Sequence, residues 1–344
     1  MRWSTSRNRA AAVCLLVSAF ACQQTSETAK REAEADRRCE QLRIAASRQG
    51  AATSSPPQEE AIRVTYEYAN WSLPLLVAIE AGLFGKHGVA ISTRKWEGSS
   101  TWNLSDLEIV TGHGMYLMKE AGASPDVLRF VHPFATRKDG DMVKGLLVKK
   151  SAGIQTLKDL SPKQTWIGGF EHVWIMKKAL EAEGVKVPGG ELAGFTIKVG
   201  SWGKEFSQDS AAAAFFGWAT DVRAIQELDP GAYTLLAKNL ESTYVADPYF
   251  VGCSYVTVRA LREKPQAVRR YVAAIDEAID LCRLCPKAAL GLVPKYFEFK
   301  PEEAARLGAY YFYKSSEPLE LEALGKSQDA DLAAFMLRGT EGLQ

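Results

Sequence analysis

The amino-acid sequence predicts an α/β fold with two α/β lobes joined by a two-strand hinge. Three observations support this prediction. A strand, a short helix, a second strand, a Gly-Gly pair and a longer helix follow one another over residues 145–184. Short apolar runs alternate with helically spaced segments on both sides of this stretch. The length of 344 residues exceeds what one small core accommodates, which favours two lobes.

The stretch 145–184 carries the clearest local signals. Its first strand is the apolar run Leu146-Leu-Val148, and its second strand is Thr165-Trp-Ile167. Residues 154–160 have helical spacing and stop at Ser161-Pro162, because proline breaks a helix. One side of the second helix carries Val173, Met176, Lys177 and Leu180. This strand–helix–strand–helix order implies parallel strands with ligand-facing loops at their ends.

The same stretch resembles the signature of type II periplasmic binding proteins that serve ABC importers. It reads GLLVKKSAGIQTLKDLSPKQTWIGG, with Ser161-Pro162 where those proteins usually have Lys-Gly or Arg-Gly. The nearest group binds nitrate, taurine and other sulfonates, or pyrimidine precursors of thiamine. Two further segments are similar to that group, LPLLVAIEAGLFGKHGVAIS and EKPQAVRRYVAAIDEAID. The resemblance covers roughly residues 62–294 and implies the type II periplasmic-binding-protein fold.

The resemblance also implies a function. Such a protein captures a small molecule between its lobes, closes, and delivers the ligand to an ABC permease with its ATPase subunits. It does no chemistry, needs no cofactor and is expected to be a monomer. One alternative is an enzyme on the same fold, of the type that makes pyrimidine or menaquinone precursors, although the CCCFC iron motif of the fungal pyrimidine synthase is absent and those enzymes are cytosolic. A second alternative is a sensor that signals to a membrane partner.

Composition excludes other classes. A net charge of +1 gives no basic surface of the kind that nucleic-acid binding requires. The hydrophobic fraction of 47% and the charged fraction of 24% are typical of soluble globular domains. Beyond the N-terminus, no run is apolar enough to cross a bilayer.

The N-terminus has the pattern of an export signal, predicted over residues 1–21. Arg2, Arg7 and Arg9 precede the uncharged apolar run 10–20, which is too short for a transmembrane helix. The run ends in Ser18-Ala-Phe-Ala-Cys22, which resembles a bacterial lipobox. In that motif the cysteine is acylated, so Cys22 is the predicted lipid-anchored residue. The alternative is a secretory signal cleaved after Ala21, and both cases place the protein outside the cytoplasm, in the periplasm or at the cell surface.

Residues 22–60 are predicted to be a tether between membrane and domain. The segment 27–43 is charged, rich in alanine and able to form a helix, and 51–60 has a linker composition. A helix that binds a partner is the alternative. Of the six cysteines, Cys39, Cys253, Cys282 and Cys285 belong neither to the signal nor to the anchor. We interpret them as structural or disulfide-linked, since no redox or zinc pattern surrounds them.

The predicted first lobe is discontinuous, over 61–149 and 251–344, and the second lobe is the insert 150–250. Hinge crossings are predicted near residues 149 and 251. Strands are predicted at 62–68, 89–93, 107–110, 128–134, 142–148, 165–167, 195–199, 215–218, 233–237 and 249–258. Helices are predicted at 73–82, 115–121, 206–214, 221–228, 259–285 with a break at Pro265, 301–313 and 319–337.

Loops at the carboxyl ends of these strands are expected to line the cleft between the lobes. The ligand-binding residues predicted on this basis are Tyr66, Tyr68, Asn70, Trp71, His113, Tyr116, Phe170, Glu171, His172, Trp174, Trp218 and Asp221. Gly112, Gly217, Tyr249 and Phe250 fall at the same strand ends or near the return crossing. Core packing is the alternative role for each aromatic residue in this set.

The types of these residues favour a small organic ligand with a ring or an apolar body, pyrimidine-like or a sulfonate. Aromatic faces suit a flat ring or a cation, whereas nitrate or sulfate requires backbone amides and arginine. Glu171 and Asp221 provide acceptors for ring N–H groups. His113 and His172 could hold a metal together with Glu171, but we favour hydrogen-bonding roles, and we predict neither a metal site nor catalytic residues.

Overall fold

The computed structural model describes residues 33–45, 61–67, 70–96, 107–112, 128–160, 163–168, 170–185, 195–197 and 203–327. The strands are β1 (Ile62–Tyr66), β2 (Ile91–Lys95), β3 (Ile109–Gly112), β4 (Leu128–Thr136), β5 (Lys144–Lys149), β6 (Gln164–Ile167), β7 (Phe195–Ile197), β8 (Ala212–Trp218), β9 (Tyr233–Lys238), β10 (Tyr249–Thr257) and β11 (Tyr311–Phe312).

Helices accompany the strands along the chain. They are α1 (33–45), α2 (Leu73–Glu80), α3 (Leu83–Lys86), α4 (Phe170–Ala182), α5 (Gly203–Gln208), α6 (Ala219–Leu228), α7 (Leu240–Tyr244), α8 (Val258–Glu263), α9 (Pro265–Leu284), α10 (Pro286–Leu290), α11 (Val293–Tyr296), α12 (Pro301–Ala304) and α13 (Leu321–Ser327). Two 3-10 turns lie at Lys150–Ala152 and Leu157–Leu160. Among the described residues, no helix has both the length and the apolar character needed to cross a membrane.

The strands form two separate mixed sheets. The first has the order β11-β4-β10-β3-β1-β2, and the second has the order β7-β6-β8-β5-β9. In the first sheet β1 is parallel to β2 and β3, while β10 runs antiparallel to β3 and β4. In the second sheet β6 is parallel to β7 and β8, and β5 is antiparallel to β8 and β9. Each sheet therefore has parallel strands whose carboxyl ends can carry site loops.

Each sheet has its own apolar core. On the first sheet, α2 packs against α9, which buries Val268, Ile275 and Ile279 at helical spacing. The predicted break at Pro265 is confirmed, because this proline occupies the first turn of α9, where its missing N–H costs nothing. Behind the second sheet, the ring centroid of Phe206 lies 5.9 Å from that of Trp166 and 5.6 Å from that of Phe215.

The sheet pairing shows that the chain crosses between the sheets earlier than predicted at one of the two crossings. Strand β5 pairs with β8 and β9 and so belongs to the second sheet. The chain therefore passes between the sheets over residues 137–143, earlier than the crossing predicted near 149, and it returns over 239–248. Strand membership depends on partners distant in sequence, which a local apolar pattern does not reveal. The lobe boundaries as such stay a prediction.

Three predicted helices are wrong in part. The helix predicted over 206–214 ends at Gln208, because the Asp209 carboxylate accepts from the Ala211 amide at 3.0 Å and from the Trp166 indole at 3.0 Å. The alanines that follow lie in the buried strand β8. The helix predicted over 301–313 is limited to α12, since Tyr311 and Phe312 pair with β4. Over 154–160 only the 3-10 turn forms.

The N-terminal helix α1, which falls within the predicted tether, packs against the core of the first sheet. A disulfide joins Cys39 to Cys285 across 246 residues, with 5.4 Å between the Cα atoms. Leu42 is buried in the core, and Arg38 donates to Glu277 at 3.0 Å. The interpretation of Cys39 and Cys285 as disulfide-linked is thereby confirmed. Cys282 is buried as a free thiol, and its burial raises its pKa.

Candidate functional site

A cavity of about 260 Å³ lies between the two sheets. The first sheet contributes the loop after β1, and the second contributes the junction of β8 with α6. The crossing 137–143 contributes Val143, and a third wall comes from the segment after α12. Its described lining residues are Asn70, Trp71, Val143, Trp218, Ala219, Thr220, Leu307, Gly308 and Tyr310. The lining is thus mostly apolar and aromatic, as in many small-molecule sites.

The loop after β1 is held by hydrogen bonds. The Ser72 hydroxyl donates to the Glu67 carbonyl at 3.2 Å and lies 2.9 Å from the Thr111 hydroxyl on β3. The Trp71 indole Nε1 donates to the phenol oxygen of Tyr310 at 3.0 Å. These contacts fix the indole of Trp71 at the wall of the cavity and join the loop to the C-terminal segment.

Asn70 is the buried polar residue of the lining. Only 6% of its surface is exposed. Its Nδ2 donates to the Gly308 carbonyl at the long distance of 3.5 Å, and its Oδ1 has no hydrogen-bond partner among the residues that the structure describes. An unsatisfied buried acceptor costs about 1–3 kcal/mol. Asn70 therefore offers an acceptor that a bound molecule can satisfy.

Trp218 ends β8 on the opposite wall. His172 meets its ring edge-on, with 4.9 Å between centroids. The ammonium of Lys144 lies 5.1 Å from the centroid of Trp218 and 5.4 Å from that of Tyr249. Lys144 and Glu241 are both fully buried, with 4.0 Å between Nζ and Oε1. Trp218 is therefore supported by a buried ion pair rather than by apolar packing alone.

Helix α6 begins at the cavity, with Ala219 and Thr220 in its lining. The amide of Ala219 donates to the Val143 carbonyl at 2.9 Å, and no side chain caps the helix. Asp221 lies in the first turn, where burial raises the pKa of its carboxyl from 3.8 to about 6. The helix start therefore carries a carboxylate near neutral pH, which opposes the partial positive charge of the helix terminus.

The two chain crossings meet at Asn239. Its Oδ1 accepts from the amides of Val143 at 3.0 Å and Lys144 at 3.3 Å. Its Nδ2 donates to the carbonyls of Arg137 at 3.0 Å and Asp141 at 2.8 Å. Asn239 has φ 46°, and asparagine tolerates this left-handed conformation better than most residues. One fully buried side chain thus ties together both segments that connect the sheets.

The segment after α12, which forms the third wall of the cavity, contacts the chain crossing at 137–143. A Cβ atom built on Gly308 would lie 2.2 Å from the Met142 carbonyl oxygen, so only glycine fits at this contact. Nearby, Arg306 pairs with Glu227 of α6, and Arg223 of α6 donates to the Ala305 carbonyl at 3.0 Å. The segment after α12 therefore bridges the two halves of the molecule beside the cavity.

The structure brings together three of the predicted ligand-binding residues, Asn70, Trp71 and Trp218. His172 lies behind Trp218, and Asp221 lies beside Thr220. The other predicted residues fall elsewhere or outside the described side chains. Tyr68, His113 and Tyr116 lie outside the described residues, as does Cys22, and the side chains of Phe170 and Glu171 are likewise not described.

Tyr66 and Trp174 do not belong to the described lining. Tyr66 is buried in the first core, edge-on to Phe297 with 5.9 Å between centroids. Trp174 is 39% exposed and lies 6.5 Å from the centroid of Tyr249. Phe250 is fully buried against Tyr313. For Tyr66 and Phe250 the alternative of core packing describes the observed contacts.

Sequence reasoning missed six described lining residues, which are Val143, Ala219, Thr220, Leu307, Gly308 and Tyr310. The aromatic run at 310–313 is the available signal for Tyr310, but the sequence analysis predicts a helix there. In the described part of the chain, no group of three or more His, Cys, Asp or Glu side chains is arranged to hold a metal ion.

Comparisons with known proteins support the fold. No protein-family model matches the chain, and no curated protein matches it. Among solved structures, the chain is similar to the periplasmic aliphatic sulphonate binding protein SsuA from Escherichia coli, with 16% identity, a TM-score of 0.57, and coverage of 82% of this chain and 87% of that chain. A periplasmic sulfonate-binding protein SsuA from Methylobacillus flagellatus has 13% identity, a TM-score of 0.56, and coverage of 82% and 96%.

An enzyme shares the same architecture. The desulfurization enzyme DSZB has 14% identity, a TM-score of 0.51, and coverage of 81% of this chain and 91% of that chain. At these identities the similarities define the fold. The predicted fold class is therefore confirmed, and the chain has the periplasmic-binding-protein fold with its two α/β halves.

Proposed function

We propose that the protein is the extracytoplasmic solute-binding component of an ABC importer and that it binds a small organic ligand in the cavity between its two sheets. The observation that carries this proposal is the composition of that cavity, which combines Asn70 and Trp71 from the side of the first sheet with Trp218 and Thr220 from the side of the second. A ligand that touches both walls favours a closed arrangement of the two halves, because it gains contacts only when both are in place. An ABC permease and its ATPase subunits are the proposed partners.

The two crossings at 137–143 and 239–248 are the proposed hinge. Asn239, at the start of the second segment, bonds through its side chain to the backbone of the first segment, so the two segments are joined at this point and are proposed to act as one hinge. The interaction of Arg306 with Glu227 is surface-exposed on the Glu227 side, and such pairs contribute little free energy. This contact therefore permits opening at modest cost.

The proposed ligand has a flat ring or an apolar body. Trp71, Trp218 and Tyr310 supply aromatic surface in the lining, which favours rings. The cavity volume of about 260 Å³ lies just below the usual range of pockets that bind drug-sized ligands, about 300–1,000 Å³. A single-ring compound, pyrimidine-like or an aryl sulfonate, is therefore the proposed size class.

Export and a lipid anchor at Cys22 complete the proposal. They rest on the basic start, the apolar run and the Ser-Ala-Phe-Ala-Cys motif of the sequence. Two or three acyl chains hold a protein at a membrane, whereas one chain binds only marginally. Replacing Cys22 by alanine is expected to release the protein from membranes on fractionation. Retention of the Cys22→Ala protein in the membrane fraction would contradict the anchor.

The enzyme alternative is motivated by the similarity to DSZB. Nucleophilic or acid–base catalysis needs a thiol, a hydroxyl paired with a base, or carboxylates within reach of the substrate. The described lining contains hydroxyls at Thr220 and Tyr310, the latter engaged by the Trp71 indole, but no cysteine, histidine, aspartate or glutamate. This composition favours binding over turnover.

The test is a thermal-shift screen of the exported chain with Cys39–Cys285 oxidised, followed by calorimetry and by product analysis of each compound that binds. The panel holds pyrimidines, thiamine precursors, aryl and alkyl sulfonates, nitrate and amino acids. A ligand at a hundredfold its Kd adds about 2.7 kcal/mol of stability. Binding without conversion supports the proposal, conversion supports the enzyme alternative, and a panel without any binding counts against a solute-binding role.

A further inference from the structure

We propose that Asn70 determines specificity, by accepting a hydrogen bond from an N–H group of a ring ligand that carries no negative charge. The cavity would then select N–H-bearing heterocycles over sulfonates and nitrate. This inference rests on the proposed function, since it concerns the ligand class of the same cavity.

The first argument is the orientation of the Asn70 amide. Its NH₂ group faces the Gly308 carbonyl at 3.5 Å. The flipped amide would place two acceptors against each other, so this contact assigns the oxygen to the opposite side. That oxygen is sealed from solvent and has no partner among the described residues. A buried acceptor beside a cavity requires a donor, and a ligand N–H supplies one.

The second argument is the charge of the lining. None of the nine described lining residues is Lys, Arg or His, although anions are preferentially held by such groups. Lys144, the cation against Trp218, is fully buried and lies 4.0 Å from the Glu241 carboxylate. Its charge is therefore already opposed within the protein.

The third argument concerns the start of α6, the remaining feature that could attract an anion. A helix terminus carries about half a positive charge. The Ala219 amide is already bonded to Val143, and Asp221 occupies the first turn. A full carboxylate charge in that turn exceeds the half charge of the terminus. An anionic ligand at this end of the cavity would therefore meet net repulsion.

The experiment compares matched probes by calorimetry on the exported chain. Uracil and 2-aminopyrimidine present N–H donors, and 1,3-dimethyluracil and 2-(dimethylamino)pyrimidine keep the rings without them. Benzenesulfonate keeps a ring and adds a negative charge. We expect at least one N–H probe to bind, and its methylated counterpart and benzenesulfonate to bind roughly tenfold or more weakly, because a buried polar group left unpaired is strongly disfavoured.

Two variants separate specificity from folding. Asn70→Leu removes the acceptor. It is expected to lower the affinity for the N–H probe roughly tenfold and to leave the affinity for the methylated counterpart nearly unchanged. Asn70→Asp keeps an acceptor oxygen and is expected to retain the preference for the N–H probe. Trp174→Ala, outside the described lining, is the matched control for both.

The outcomes distinguish the two proposals. Equal binding of an N–H probe and its methylated counterpart, or tighter binding of benzenesulfonate, overturns the role of Asn70 and leaves the solute-binding function in place. An unchanged preference in both Asn70 variants also overturns that role. Absence of binding by every probe and every sulfonate counts against the solute-binding function itself.

Discussion

Trp71 and Tyr310 are joined by a hydrogen bond of 3.0 Å from indole Nε1 to phenol oxygen, although 239 residues separate them in the chain. The bond links the loop after β1 to the segment that precedes β11. Tyr310 is in turn packed against Phe134 of β4, with 5.1 Å between ring centroids. Two aromatic walls of the cavity are thereby fixed to the first sheet before any ligand arrives, which lowers the entropy lost on binding.

Replacing Trp71 by alanine should weaken ligand binding by roughly tenfold or more, because it removes an aromatic wall and the hydrogen bond that Trp71 donates to Tyr310. Calorimetry with whichever probe binds the wild-type protein is the measurement. Trp174→Ala is the control, since its ring is 39% exposed and lies outside the described lining. Comparable losses in both variants, or a loss only in Trp174→Ala, would show that the cavity is assigned to the wrong residues.

Gly308→Ala should destabilise the protein, because its Cβ would lie 2.2 Å from the Met142 carbonyl oxygen. Relief requires a backbone shift at the first crossing, and overpacking of this kind costs about 1–3 kcal/mol. Urea denaturation measures the change in free energy of unfolding. Gly325→Ala in α13 is the control, because its new Cβ would meet nothing within 4 Å. In a helix, alanine is more stabilising than glycine by about 0.5–1 kcal/mol. The two substitutions should therefore have opposite signs.

Reduction of Cys39–Cys285 should release α1 from the first lobe. The bridge closes a loop across 246 residues, and native disulfides typically contribute about 2–4 kcal/mol. We expect a lower Tm in reductant and faster amide hydrogen exchange over 33–45. Cys39→Ser should show the lower Tm without reductant and no further change with it. A reductant effect of full size in Cys39→Ser would assign the effect to another part of the molecule.

The fold was predictable from sequence to a large extent because its signals are local. The strands β6, β9 and β10 and the break at Pro265 follow from apolar runs, alternation and proline chemistry. The sheet membership of β5 was not predictable in this way, since it depends on pairing with β8 and β9. Likewise, Ala212–Ala214 have helical propensity, but their burial in β8, between β6 and β5, places them in a strand.

The candidate site was predictable only where it follows a strand end. Asn70, Trp71 and Trp218 come from that rule. Gly308 and Tyr310 reach the cavity through contacts with Met142 and Trp71, and no local pattern encodes contacts between such distant positions. Trp174 follows a strand end as well, yet the direction of its side chain on α4 takes it out of the described lining.

Asp221→Asn should stabilise the protein at neutral pH and leave its stability unchanged in strong acid. Burial raises the pKa of this carboxyl in the folded protein from 3.8 to about 6, so the native state binds the proton more tightly than the unfolded state. The stabilising contribution is complete below pH 3.8, falls as the pH rises to about 6, and stays lost above it. Two pKa units correspond to about 3 kcal/mol, and partial exposure and the lost helix-terminus attraction reduce this to about 1–2 kcal/mol.

The measurement is the difference in free energy of unfolding between wild type and Asp221→Asn, by urea denaturation at several values from pH 3.5 to 7.5. The contributions of other titrating groups to the free energy of unfolding are the same in both proteins and cancel in that difference. Asp159→Asn is the control of opposite sign, because hydrogen bonds from the amides of Gln155 and Thr156 lower the pKa of that carboxyl. Its substitution should destabilise the protein at neutral pH, with the difference vanishing in acid. If Asp221→Asn instead follows the pattern of Asp159→Asn, the Asp221 carboxylate is stabilised by a partner, and the repulsion argued for an anionic ligand at the start of α6 fails with it.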